Sequence, residues 1–417
     1  MNGRAKAFLA VVIAAAALAG QPAAARGRHH KKRLIVTFKE GTTRAEREKA
    51  AKDLGLTMTD DLDELAASVF EASGDVGTAE TSRAKKYASV FQVEEDVYRV
   101  WLLETPAFAA LPSVGGIWSA LGKPKLSPAP DAGAQPGKSV ANPEIPWGVA
   151  RLNAPQAWDR GQGRGVRVAV IDTGVDCTHP DLQCDFASGV NILAPGTDPM
   201  DDNEHGTHVS GTIAARQDGQ GVVGVAPKAT IVPVKVLDKD GAGSLSDIVK
   251  GINWATKNNV DVINMSLGGD AGNAALQRAV SKALAAGVVI VAAAGNSGPG
   301  PDTVGYPGGY PGVIAVAASD SADAVAKFSS RGSAVALIAP GVDIKSTVPG
   351  GGYATHSGTS MASPHVAGLA ALAIERGARG PSGVREALLG TTKKICSAAA
   401  CPGPTEQGSG IPDASKL

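Results

Sequence analysis

An aspartate, a histidine and a serine, each at the edge of an apolar run, are the residues of this sequence best suited to attack a carbonyl and move a proton. Asp172 follows the β-branched run at 166–171 and precedes Thr173 and Gly174, a turn. His205 opens His205-Gly206-Thr207-His208, ahead of an apolar helical run at 209–215. Ser360 follows Gly358 and Thr359 and begins a helical stretch reaching 376. Each has a plainer reading alone. An acid after a strand caps a turn, a serine at a helix start is an N-cap, and a single histidine is more often structural than catalytic. His205 and His208 also miss the zinc-protease spacing, which sets two histidines four apart with a glutamate beside the first.

Together the three residues supply what acyl transfer needs. A serine hydroxyl is a weak nucleophile until a base takes its proton. Histidine does so and later hands the proton to the leaving amine, while the carboxylate fixes the imidazole tautomer and stabilises the imidazolium. A helix start adds free N–H groups and a positive dipole end for the oxyanion. Asn296, in a glycine-rich turn after an apolar run, offers a side-chain donor as well, although asparagine in a turn is ordinarily backbone chemistry.

Groups so far apart in sequence need a rigid frame to bring them together. Apolar β-branched runs at 166–171, 231–237, 260–265, 288–293 and 313–316 alternate with helical stretches at 245–258, 273–286 and 360–376. That alternation predicts βαβ crossovers, a parallel sheet covered on both faces, and a site at the carboxyl ends of the strands. Aromatics are only 4% of the chain, so Val, Ala, Ile and Leu must build the core, and 52 Gly with 26 Pro imply many tight turns.

Ahead of this region, residues 34–104 read as a small α+β unit. Strands are expected at 34–38, 66–71 and 97–103, and helices at 43–54, opened by a Thr43 cap, and at 78–88. Residues 105–141 have the Pro, Gly, Ala and Ser composition of a linker. At the N-terminus, Arg4 and Lys6 precede an apolar stretch too short for the about 18 residues that span a bilayer, and Ala23-Ala24-Ala25 suits a cleavage site. Residues 1–25 are therefore expected to be an export signal and the product to be soluble and secreted. With 40 basic and 40 acidic residues the formal charge is zero, which argues against a nucleic-acid or membrane-surface partner. Four cysteines allow three pairings. Cys177 with Cys184 and Cys396 with Cys401 are close along the chain, and local disulfides are the simplest outcome in an oxidising compartment.

At this point the chain resembles the subtilisin family of serine proteases. Ile171-Asp172-Thr173-Gly174, His205-Gly206-Thr207-His208-Val209-Ser210-Gly211 and Gly358-Thr359-Ser360-Met361-Ala362-Ser363-Pro364 resemble its three signature motifs, in its chain order. The likeness runs from 142 to 417, so the fold it implies is α/β, a subtilisin-like parallel sheet sandwiched by helices. Residues 26–104 would be its propeptide, an intramolecular inhibitor and folding assistant removed by self-cleavage, at a site expected between 110 and 143. The resemblance implies that Asn296 serves the oxyanion beside the Ser360 N–H. It implies that polypeptide substrates add as a strand between Ser266, Leu267, Gly268 and Gly241, Ala242, Gly243. Ala293, Ala294, Gly295 and Gly305 would wall the pocket for the side chain before the scissile bond, uncharged and suited to large apolar or neutral residues. A structural calcium is implied at Asp181 and Asp218 with carbonyls of Arg216, Gln220 and Val222, although Pro143 stands where relatives carry a glutamine ligand. The expected product is a monomeric endopeptidase. An esterase of the α/β-hydrolase type does not fit, because Ala362 replaces the glycine that closes its nucleophile motif and the order of acid, base and nucleophile is reversed. A catalytically dead, peptide-binding relative is disfavoured by four intact catalytic positions.

Overall fold

The computed structural model describes residues 33–72, 85, 89–102, 143–396 and 401–417. The export signal at 1–25, the expected helix at 78–88 (residue 85 apart), the linker at 105–141 and the expected maturation site lie outside the described residues. The chain divides into two compact units, Met1–Arg99 and Val100–Leu417.

In the first unit, strands β1 (Arg33–Phe38), β2 (Leu56–Leu62), β3 (Ala67–Ala72) and β4 (Val90–Glu95) form an antiparallel sheet in the order β2-β3-β1-β4. Helix α1 (Arg44–Leu54) starts where Thr43 and Glu46 cap each other reciprocally and stops at Gly55, whose φ of 69° terminates it in the left-handed region. Ala50, Ala51 and Leu54 of the helix bury against Leu34, Val36, Phe38 and Phe70 of the sheet. The last strand was expected at 97–103. The sheet instead ends on β4, and only a short strand, β5 (Tyr98–Val100), follows. The sequences of β2 and β4, LTMTDDL and VFQVEE, are too polar to register as apolar runs.

The second unit is built on a seven-stranded sheet. Its strands are β6 (Arg167–Asp172), β7 (Val190–Asn191), β8 (Thr230–Lys235), β10 (Val262–Met265), β11 (Val289–Ala293), β12 (Ile314–Ser319) and β13 (Val335–Pro340), with β9 (Ala242–Ser244) lying outside it. The order is β13-β12-β11-β10-β6-β8-β7, and every pairing is parallel. Every residue of β10, β11, β12 and β13 is buried, as a sheet covered on both faces requires. The covering helices include α2 (His205–Ala214), α3 (Leu245–Lys257), α4 (Ala274–Ala285), α5 (Thr359–Glu375) and α6 (Gly380–Gly390); α2 packs on α5, and α3 on α4. An antiparallel hairpin, β14 (Ile344–Val348) with β15 (Gly352–His356), leads straight into α5.

From β6 the chain passes to β7 and β8 on one side, then crosses to β10 on the other and continues outward to β13. The carboxyl ends of β6 and β10 therefore mark the switch point at which open α/β sheets carry their sites. Among the described residues, no helix is long and apolar enough to cross a membrane.

Candidate active site

Asp172 is the last residue of β6 and is fully buried at the switch point. His205 is the first residue of α2, and its Nδ1 lies 2.8 Å from Asp172 Oδ1. The same oxygen accepts the Thr173 N–H at 2.7 Å. The helix start is drawn close by glycine: a Cβ on Gly206 would stand 2.0 Å from the Gly174 carbonyl oxygen. Burial opposes the imidazolium, but the Asp172 carboxylate, with Asp201 and Glu204 beyond it, outweighs that cost and the His205 pKa is raised.

Ser360 is the second residue of α5, one later than expected, and is 1% exposed. Pro364 sits within the first turns of this helix and has no N–H, so the Ser360 carbonyl is denied its intrahelical donor. Ser266, just past β10, fills the gap: its hydroxyl donates to the Ser360 carbonyl at 2.7 Å. The Ser360 hydroxyl donates in return to the Ser266 carbonyl at 3.0 Å. Behind this clasp, Asn264 Nδ2 donates to Ser266 Oγ at 3.0 Å and Ser363 Oγ to Asn264 Oδ1 at 2.7 Å, all within the buried core. The clasp ties the candidate nucleophile to the strand beside the one carrying Asp172. The composition of the motif gave no hint of it.

Asn296 follows β11 and accepts the Thr359 N–H and hydroxyl on Oδ1, at 3.0 and 2.9 Å. That fixes the amide's orientation. A Cβ on Gly358 would stand 3.3 Å from Asn296 Nδ2 and 3.6 Å from Ser360 N, so the missing side chain leaves a hollow edged by two N–H groups.

Between the two expected cleft edges lies the backbone of Trp101, a residue of the second unit just past β5. The Trp101 N–H donates to the Gly241 carbonyl at 2.9 Å, and the Gly268 N–H donates to the Trp101 carbonyl at 3.0 Å. The indole N–H reaches the Gly243 carbonyl at 2.9 Å, and the ring is 2% exposed. This arrangement was not foreseen from the sequence. Its one sequence signal is the linker composition that begins soon after. Gly305 N donates to the Ala294 carbonyl at 2.8 Å, and Gly295 N to Thr359 Oγ1 at 3.1 Å, so the expected pocket residues gather beside the start of α5.

Cys177 pairs with Cys184 and Cys396 with Cys401, as expected. The first disulfide closes a loop that, together with Asp176 just before it, holds the β14–β15 hairpin by three rungs. Asp176 accepts the Gly350 N–H at 2.9 Å, His179 Nε2 meets the Gly352 carbonyl at 3.0 Å, and the Tyr353 hydroxyl donates to Asp181 Oδ2 at 3.2 Å. Asp181 Oδ2 also accepts the Val222 N–H at 2.9 Å, whereas Oδ1 is buried with no hydrogen-bond partner. Burial pushes this carboxyl up to about 6, and repulsion from Asp218 adds to it. Among the described residues no cluster of three or more His, Cys, Asp or Glu side chains is arranged to hold a metal. An orphaned carboxylate oxygen beside a second acid nonetheless fits a hard cation that completes its shell with backbone carbonyls.

A parallel α/β frame with a carboxylate–imidazole pair and a serine at a helix start defines the molecule's structural class. The chain belongs to the subtilase family, whose family model (Peptidase_S8) matches residues 163–410. It is 50% identical over 236 residues to subtilisin E of Bacillus subtilis strain 168, covering 56% of this chain and 61% of that protein. The same identity and length relate it to a subtilisin of Bacillus pumilus, of which 85% is covered. A thermostable alkaline protease of Halalkalibacterium halodurans is 49% identical over 233 residues, covering 56% of this chain and 63% of the relative. Among solved structures, fervidolysin from Fervidobacterium pennivorans, a keratinolytic enzyme related to subtilisin, superposes with a TM-score of 0.74 at 29% identity. That match covers 94% of this chain and 61% of fervidolysin.

Proposed function

We propose that this chain is a secreted serine endopeptidase, made as a self-processing zymogen, that cleaves polypeptides through Ser360, His205 and Asp172. The observation that carries the reading is the 2.8 Å bond between His205 Nδ1 and buried Asp172. It assigns the ring proton to Nδ1 and leaves Nε2 to take a second. At rest the Ser360 hydroxyl bonds the Ser266 carbonyl. A substrate strand added along 266–268 offers its own N–H to that carbonyl and displaces the hydroxyl. The freed Oγ attacks the scissile carbonyl and passes its proton to His205, whose imidazolium Asp172 stabilises. The oxyanion enters the hollow beside Gly358, between Asn296 Nδ2 and Ser360 N. His205 then gives the proton to the leaving amine, and water releases the acyl group by the same route.

The uncharged walls at Ala293, Ala294, Gly295 and Gly305 support broad cleavage after large apolar or neutral residues. Trp101, bonded between the two cleft edges as a substrate strand would be, supports the zymogen reading: the chain leaving the propeptide fills the place a substrate needs. The signal-like N-terminus and the two disulfides support export. A calcium ion held by Asp181, Asp218 and the carbonyls of Arg216, Gln220 and Val222 would neutralise the paired acids and stiffen their loops, a structural contribution. The deciding experiment expresses wild type beside Ser360→Ala. Wild type should shed its N-terminal region and digest an unstructured protein, while the variant stays full length. Equal processing of both chains would refute self-cleavage.

A further inference from the structure

Asp201 is a buried acid, 4% exposed, that the relay above does not use. Its carboxylate is saturated. Oδ1 accepts the Thr173 hydroxyl at 2.8 Å and the Asn203 and Glu204 N–H groups, each at 3.0 Å. Oδ2 accepts the Thr207 N–H at 2.9 Å and the Thr207 hydroxyl at 2.6 Å. One side chain thus grips the residue after Asp172 and the residues on both sides of His205. Thr173 tightens the joint, because its hydroxyl also accepts the Gly206 N–H at 3.0 Å.

The local backbone explains why such a grip is needed. Helix α2 begins without a conventional cap: Glu204, at the N-cap position, makes no side-chain cap bond and has a φ of 111°. That is a left-handed conformation that a residue with a Cβ adopts only under constraint. Asp201 supplies the absent cap by bonding the Thr207 N–H in the first turn, and it holds the Glu204 N–H in the strained bend. The imidazole is therefore aimed from a bend that would relax without this carboxylate.

We propose that Asp201 is a positioning residue for the His205–Asp172 pair, locking the segment that carries the base to the residue that follows the acid. The inference rests on the endopeptidase reading and deepens it. Its charge acts in the same direction as its geometry. The titratable groups facing His205 are Asp172 from β6, Asp201 and Glu204 from the preceding loop, His208 one turn along α2 and His356 from β15. The buried cation on this side, Lys235 of β8, is bonded to the Thr173 carbonyl and to Asp202. The carboxylates favour the imidazolium, so removing the Asp201 charge lowers the pH at which His205 gains its second proton.

The test uses the full chain, matured where it matures, as wild type, Asp201→Asn, Asp201→Glu, Thr173→Val, Thr207→Val and Ser360→Ala, assayed on a chromogenic peptide across pH. Asp201→Asn should lower kcat about tenfold with KM nearly unchanged and move the acid limb of kcat/KM roughly half a pH unit lower. Asp201→Glu keeps the charge and should restore the limb while leaving kcat reduced. Thr173→Val and Thr207→Val each remove a donor but keep the carboxylate, and should lower kcat with the limb in place. Wild-type kcat and limb in Asp201→Asn would overturn the proposal. Should that variant not fold, wild-type kcat in both threonine variants would overturn it. A Ser360→Ala chain that still cleaves would defeat the Ser360–His205–Asp172 mechanism on which this inference rests. An inert Ser360→Ala beside an unaffected Asp201→Asn defeats only the role of Asp201.

Discussion

Lowering the pH from about 7 to 4 should destabilise the fold through His365, a residue outside the chemistry. It is fully buried in α5, and its Nδ1–H donates to the Met361 carbonyl at 2.8 Å. Nε2 has no hydrogen-bond partner, and it faces Gly148, where a Cβ would come within 2.8 Å of the ring's Cε1. Protonating Nε2 would bury a cation whose new N–H has no acceptor. Burial accordingly pushes its pKa down from 6.5 to about 4, against a smaller opposing effect of the Met361 carbonyl. The unfolded chain takes the proton near 6.5, while the folded chain refuses it until about 4. Stability is intact above the upper value and is lost as pH falls through the interval. A gap of about 2.5 pH units corresponds to roughly 3 kcal/mol, a large share of the stability of a typical domain. The assay is urea unfolding at the two pH values in a Ser360→Ala background, chosen to prevent the self-digestion proposed above, with and without His365→Gln. Glutamine keeps a donor and does not titrate. The parent should lose about 3 kcal/mol more than the His365→Gln chain. The other buried histidines among the described residues, His179 and His208, also have their pKa values lowered by burial, but both are common to the two chains and cancel. Equal losses in the two proteins would refute the reasoning.

Asn296→Ala should lower kcat by about 10²–10³ with little change in KM, the magnitude established for losing one such donor in this family; a kcat within threefold of wild type would count against the hollow beside Gly358 as the oxyanion site. Ser266→Ala leaves the Ser360 carbonyl with neither its helical donor nor the replacement, and should cost about 1–3 kcal/mol in chemical denaturation. Adding Pro364→Ala, which returns an N–H to the helix, should recover part of that loss, and no recovery would show that the clasp does not stand in for the missing bond. Chelation should lower the Tm of wild type more than that of an Asp181→Ala, Asp218→Ala double variant. Equal drops would place any calcium elsewhere.

The sequence was most readable where the physics is local. Runs such as Val289–Ala293 are apolar because both faces of a parallel strand are covered, and they announced themselves as strands. Helices were bounded well where a cap is written in the sequence, as at Thr43 and at Asn273, whose side chain accepts the Ala275 and Leu276 N–H groups. Legibility failed where a contact depends on distant partners. The hairpin at 344–356 is mostly buried along β14 and alternates half-buried with exposed residues along β15, where the loop at 176–181 receives it. Ser266 looked like a cleft residue and nothing more, since its hydroxyl matters only through a proline far along the chain. Asp201 stands in an acidic loop of the kind that ordinarily faces solvent, and only the fold reveals how fully it is enclosed.

The three rungs under the β14–β15 hairpin have a consequence for how the molecule wears out. The strand leading to Ser360 rests on a cystine loop that also bears Asp181, so the crosslink, the acid pair and the proposed nucleophile share one foundation. Loosening that corner by reduction or by loss of a bound cation would misalign the serine while the seven-stranded sheet still stood. On the proposed endopeptidase reading, activity should fade before the sheet unfolds, and residual activity should be an earlier gauge of damage than any spectroscopic measure of the core.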